Sequence, residues 1–108
     1  MTVSELGHID GFYPICLPDG EREIKGVYIG DLLSWVMGRA GEDNAWITIM
    51  SNINTVAVAT LADTACIILA EGVTLDSEVL GAAEAKGVNV LTSSFTAYDI
   101  AVKLHGII

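Results

Sequence analysis

Basic residues are scarce: five Lys and Arg stand against fourteen Asp and Glu, a formal charge of −9 over 108 residues. A chain this acidic repels phosphate backbones and anionic headgroups where electrostatic steering acts, which sets aside nucleic acid and membrane surfaces as partners. Cysteine is scarce too. Cys16 and Cys66 lie fifty residues apart, with no CxxC pair and no Cys–His spacing of a zinc site, so they read as separate reduced thiols and no metal is expected. No apolar run is long enough to span a bilayer, and the opening residues 1–5 lack the basic segment and apolar core of a secretion signal; a cytoplasmic location is the expectation. There is no GxxxxGK[ST] loop to hold ATP phosphates, no GxGxxG for a dinucleotide and no GxSxG elbow for a hydrolase. His8 and His105 have no carboxylate or Cys at a spacing that fixes a metal or a general base, and Asp63, Asp76, Glu78 and Glu84 are scattered as solvated charges.

Apolar side chains, by contrast, are abundant, at 52% of the chain against 18% charged. Residues 1–108 fit a single domain, and such a domain has more apolar surface than it can readily hide, so self-association is expected. A strand-like run, a polar break and a helix-like stretch recur three times, with the runs at 45–50, 65–70 and 88–92. Successive strand–helix units of this kind build a parallel sheet. The predicted fold is α/β, a mainly parallel sheet with helices on both faces, plus an amino-terminal hairpin.

The hairpin expectation comes from a strand at 12–17, kept to an edge by Pro14, the turn Pro18-Asp19-Gly20 and a strand at 24–29. Ser4 is read as capping a short helical turn before it. Asp31 is read as the cap of a helix over 32–38, where Leu32, Leu33, Trp35, Val36 and Met37 leave apolar side chains nearly all round. That predicts a face pressed against another subunit, a homodimer contact. Residues 55–60 alternate with a strand period, yet a helix over 54–63 lets the flanking strands run parallel, and helix is the reading taken. Thr74 is read as the next cap, with Lys86 and Gly87 ending that helix, and Ser93 or Ser94 as the cap of a helix over 95–105.

In a parallel sheet the segments after each strand emerge at one edge, which gathers Asp31, Ser51, Asn52, Asn54, Glu71, Thr92 and Ser93. Helix amino-terminal amides there favour an anion, while Asp31 and Glu71 accept from hydroxyl or amino groups, a combination suited to a nucleotide. The competing reading is that these residues only cap helices and turns.

The strings Gly30-Asp31-Leu32-Leu33-Ser34-Trp35-Val36-Met37-Gly38, Ala45-Trp46-Ile47-Thr48, Asn54-Thr55-Val56-Ala57-Val58-Ala59, Cys66-Ile67-Ile68-Leu69 and Thr96-Ala97-Tyr98-Asp99-Ile100-Ala101, in this order and spacing, resemble the stand-alone DRTGG domain proteins of anaerobic bacteria. The family signature falls on residues 21–27, where Arg22 and Gly26 fit it; Glu21 stands where Asp is usual, Lys25 where Thr is usual and Val27 in place of the second Gly. The resemblance implies an α/β domain that elsewhere sits beside cystathionine-synthase-type nucleotide-sensing modules, in phosphotransacetylases or in near relatives of HPr kinase, as a regulatory or dimerising part. It implies no assigned activity and no cofactor. The function so expected is non-catalytic: a homodimer that regulates or scaffolds metabolic proteins by sensing a small ligand such as an adenine nucleotide. The alternative is a structural protein–protein interaction subunit without a ligand.

Overall fold

Strands written in Ala, Trp, Ile, Cys and Leu have no polar face to offer water and must be covered on both sides. A computed structural model, which describes residues 1–108, shows this at the centre of the molecule. Every residue of β4 (Cys66–Leu69), and all but the first of β3 (Asn44–Thr48), is buried. The other elements are α1 (Val3–Leu6), β1 (Tyr13–Cys16), β2 (Gly26–Ile29), α2 (Leu33–Arg39), α3 (Ile53–Ala62), α4 (Ser77–Lys86), β5 (Val90–Thr92) and α5 (Ala97–His105).

The five strands form one sheet in the order β1-β5-β4-β3-β2. Strands β2 to β5 are mutually parallel, and β1 joins β5 antiparallel. The expected α/β class and mainly parallel sheet are therefore observed. The amino-terminal hairpin is not: β1 and β2 occupy opposite edges of the sheet. After the Pro18-Asp19-Gly20 turn the chain bonds to the amino-terminal segment instead, with amides of Val3, Ser4 and Ile24 donating to carbonyls of Arg22, Gly20 and Met1, and Thr2 bridging Glu23. Residues 17–25 thus cross the sheet end as a strap. Asn89 fastens it: this buried amide accepts from the Asp19 amide at 2.9 Å and donates to the carbonyls of Asp19 and Ala65 at 2.8 and 2.9 Å.

Alternate side chains divide the core into two layers, as the period of a strand requires. Ala45, Ile47, Cys66, Ile68 and Leu91 pack against α1 and α5 through Val3, Leu6, Ile100 and Leu104. Trp46, Ile67, Leu69 and Val90 pack against α2, α3 and α4 through Val36, Val56, Ala59, Val79 and Ala83. Trp46 is fully buried, and its indole N–H donates to the Gly30 carbonyl at 2.8 Å, so its large apolar body carries no unmet donor. Gly11, at φ 93°, lies where the Phe95 ring fills the place a Cβ would take, and that ring meets Phe12 edge-on at 6.5 Å.

Residues 53–62 are helical despite their strand-like alternation. Asn52 accepts from the amides of Asn54 and Thr55, and Asp63 ends the helix in the left-handed region. The caps of α1, α4 and α5 differ from the sequence reading by two or three residues: Thr2 rather than Ser4 for α1, Asp76 rather than Thr74 for α4, and Thr96 rather than Ser93 or Ser94 for α5.

Candidate functional site

Parallel strands point their carboxyl ends one way, so the segments after β2, β3, β4 and β5 share an edge, as expected. Asp31 is exposed there, and it does not cap α2: Leu32 holds that position without a side-chain bond. Instead Asp31 Oδ1 accepts from the Thr48 hydroxyl at 2.8 Å and the Ile49 amide at 3.0 Å. The end of β3 presents a buried hydroxyl and a released amide, and together they outcompete the helix amides for the carboxylate. Asp31 therefore locks the β2 and β3 ends to each other.

Asn52 spends its carbonyl on the α3 amides of Asn54 and Thr55, at 2.9 and 3.2 Å. Ser51 is half-buried and the side chain of Asn54 is exposed. Glu71 stands exposed in the left-handed region at φ 58°, while its own amide donates to the Phe95 carbonyl. Thr92 donates to the Val73 carbonyl at 2.6 Å, and the fully buried Ser93 accepts from the Phe95 amide at 3.2 Å. Of the expected residues, Thr92 and Ser93 are thus engaged in holding the loops. The outward-facing groups are the Glu71 carboxylate, the second oxygen of Asp31, the Asn54 side chain and the amide nitrogen of Asn52. Thr55, in the first turn of α3, adds a buried hydroxyl with no partner, which the sequence reading passed over. The strands β2 to β5 follow one another across the sheet without a reversal, so the parallel part has no point where neighbouring loops part to opposite faces, and one chain encloses no pocket at this edge.

Beside Asp31 begins an apolar surface. Leu32, Trp35 and Met37 are 61%, 55% and 48% exposed, whereas Val36 is fully buried and Leu33 half-buried against the sheet. The five residues read as one contact face therefore divide: two anchor α2 inward and three face out. The Arg39 guanidinium lies over the Trp35 ring at 4.0 Å.

The residues that fit the family signature lie at the opposite, amino-terminal edge. Arg22 Nε donates to Asp43 at 2.8 Å, and its Nη2 donates to the Asp63 carbonyl at 2.6 Å and meets the Asp63 carboxylate at 2.9 Å. Asp43 and Asp63 both hold positive φ, at 63° and 57°, directly before β3 and shortly before β4. The Asp43 amide in turn donates to the Asp63 carbonyl. Arg22 so ties the approaches to β2, β3 and β4 in one clasp, and its hydrogen bond holds the Asp43 carboxyl below the usual carboxylate range. Gly26 serves the same region, because a Cβ there would come within 2.7 Å of the Asn44 side-chain nitrogen. Local sequence gives no signal for this clasp, since its partners are 21 and 41 residues away.

The remaining reactive groups stand apart. Burial pushes the Cys66 thiol up to about 12. Burial also raises that of Cys16, whose Sγ donates to the Val88 carbonyl at 3.5 Å. No three His, Cys, Asp or Glu side chains come together as a metal cluster would require, and no helix is long and apolar enough to cross a membrane.

Against this geometry, comparison with known proteins gives the following. The family model described as the DRTGG domain matches residues 18–107, which leaves α1 and β1 ahead of the matched region. No curated protein matches the chain. Among solved structures the chain is similar to the CBS and DRTGG domains of the regulatory region of Clostridium perfringens pyrophosphatase, crystallised with its activator diadenosine tetraphosphate. The TM-score is 0.66 at 12% sequence identity, over 84% of this chain and 40% of that one. At that identity the likeness is one of fold, and this chain spans well under half the length of its structural neighbour.

Proposed function

Because the chain belongs to the DRTGG domain family, we propose that it is a regulatory, ligand-sensing domain that performs no chemistry of its own and works as a homodimer. The observation that carries this reading is a juxtaposition. The polar loop edge, with Asp31, Asn52, Asn54 and Glu71, runs directly into the exposed apolar side chains of Leu32 and Trp35. A ligand held at that edge would touch the surface through which the chain meets a partner, so binding and assembly would be coupled by their shared contacts. The outward carboxylates suit hydroxyl and amino donors, and the asparagine side chains suit the edge of a base. An adenine nucleotide meets both needs, and the activator of the pyrophosphatase neighbour is a ligand of this chemistry. Free, unpaired thiols fit a reducing, cytoplasmic setting, where metabolic enzymes would be the proteins regulated.

A specific observation favours a second reading. Amino-terminal amides of α3, α4 and α5 donate to the chain's own Asn52, Asp76 and Thr96 side chains, and one chain forms no pocket. A structural subunit that completes another protein's surface, with no ligand, accounts for that economy equally well.

Light scattering joined to a thermal-shift screen separates the two. AMP, ADP, ATP and diadenosine tetraphosphate are the probes. A ligand that binds only the folded state stabilises it by about 2.7 kcal/mol at a hundredfold excess over its dissociation constant. A dose-dependent rise with a nucleotide, abolished in Glu71→Ala or Asn52→Ala, supports the sensor. A dimer indifferent to the whole panel rejects it in favour of the structural subunit. Trp35→Glu should give soluble monomer; an unchanged dimer mass removes α2 from the contact.

A further inference from the structure

Strand β2 is the outermost on its side of the sheet and pairs only with β3. In a parallel ladder, alternate residues of an edge strand turn their N–H and C=O toward the neighbour, and those between turn theirs outward. The Gly30 amide donates to the Ile47 carbonyl, and Tyr28 stands opposite Trp46. That parity points the backbone of Tyr28 at β3 and leaves the donors and acceptors of Val27 and Ile29 facing the open side. Edges of this kind template pairing unless they are blunted. The far edge is blunted, since β1 carries Pro14 and a register irregularity between Pro14 and Cys16. The segment Gly26-Val27-Tyr28-Ile29 has no proline, no charge and no bulge.

Resting on the homodimer reading above, we infer that a second copy of the chain pairs with the first through β2, antiparallel, about a two-fold axis at Tyr28. The two five-stranded sheets then become one. A single register satisfies every outward group: Val27 lies opposite Ile29 of the second copy and Ile29 opposite its Val27, giving four backbone hydrogen bonds. The axis stands perpendicular to the sheet, so both α2 helices lie on the same side of the joined sheet and flank the seam.

Charge argues for this occupant. Residues 26–41 contain one acid, Asp31, and one base, Arg39, in a chain whose net charge is −9. Two copies repel everywhere except where neither carries its excess, whereas a basic partner would be drawn to the acidic remainder of the surface. Area argues the same way. Val27, Ile29, Leu32 and Trp35, the exposed apolar side chains on the β2 side, are 37%, 49%, 61% and 55% exposed. At roughly 200 Å² for a whole large side chain they offer about 400 Å² per copy, half of the area per partner in a standard interface of about 800 Å² a side. The strand backbones and the half-buried Tyr28 and Leu33 add to that area.

Cysteine pairing tests the register, in a Cys16→Ser background. Directly opposed residues in a hydrogen-bonded antiparallel pair have Cα atoms about 5.5 Å apart, within disulfide range. Val27→Cys and Ile29→Cys proteins, each confirmed folded by circular dichroism, are mixed in equal amounts and mildly oxidised. Covalent dimer should form in the mixture, up to about half of the chains as random pairing allows, and far less in either protein alone, where the thiols are offset by two residues. Tyr28→Cys should link to itself. A native dimer that Trp35→Glu disrupts but that forms no link in the mixture or at position 28 overturns pairing through β2 and leaves the homodimer standing. A native chain that is monomeric at all concentrations overturns both.

Discussion

Replacing Asn89 with alanine should loosen the strap from the sheet, and the cost can be worked from its contacts. The side chain is 2% exposed and makes three hydrogen bonds, two to the backbone of Asp19 and one to the Ala65 carbonyl. At a net of about 1 kcal/mol each, the bonds sum to about 3 kcal/mol. Asp19 is exposed, so water replaces part of what it loses; Ala65 is 1% exposed and has no such recourse. The balance is about 2–3 kcal/mol, or roughly 10 °C in Tm for a domain of this size. Asn89→Asp keeps the shape but turns the donating nitrogen into a carboxylate oxygen facing the two carbonyls, and should cost more than alanine at neutral pH. Urea unfolding followed by circular dichroism measures both: the midpoint falls while the slope stays constant if only the folded state is affected. An alanine variant within about 2 °C of the native Tm, or an aspartate variant milder than alanine, refutes the view that this amide fastens the strap.

The Arg22 clasp makes stability depend on acid. Asp43 is held below its ordinary pKa in the folded state, so its contribution is present above the unfolded value near 4 and is lost as pH falls through the folded one. Asp43→Asn should therefore melt below the native chain at pH 7, with the gap closing below about pH 4; a gap that is constant with pH contradicts this. Cys66, pushed up to about 12, should resist aromatic disulfide reagents at pH 8 until the chain unfolds, and prompt reaction of both thiols in the folded protein would contradict its burial. Gly11→Ala combines a positive φ with the Phe95 ring in the place of the new methyl, and a melting temperature equal to that of the native chain would show the contact to be dispensable.

How far the sequence was legible depends on the reach of each interaction. Runs of buried apolar residues announced β3, β4 and β5 because a strand covered on both faces needs no partner's identity to be apolar. The helix over α3 followed from topology, against the alternation of residues 55–60, and the structure bears it out. The amino-terminal hairpin failed because a turn signal fixes where a chain bends, not what it meets next. The bonds that decided the matter join residues 20, 22 and 24 to the first four residues. Asp31 followed the local logic of a cap, yet Thr48 and Ile49, brought in by the parallel pairing of β2 with β3, claimed its carboxylate. The signature residues were legible as a resemblance, whereas their clasp, built across 21 and 41 residues, was not.

The sheet order carries a consequence for how the chain is made. β1 pairs with β5 alone, seventy-odd residues later in synthesis. At about 5–20 residues per second, a ribosome releases the other four strands in turn while the first waits several seconds for its neighbour. Strands β3 to β5 can each add to the strand before, and the register irregularity and Pro14 that blunt β1 in the finished fold also make it a poor template during that delay. Of the five strands, the first synthesised is the last to be paired, and the Asn89 bonds that fasten residues 17–25 form only when the final strand arrives.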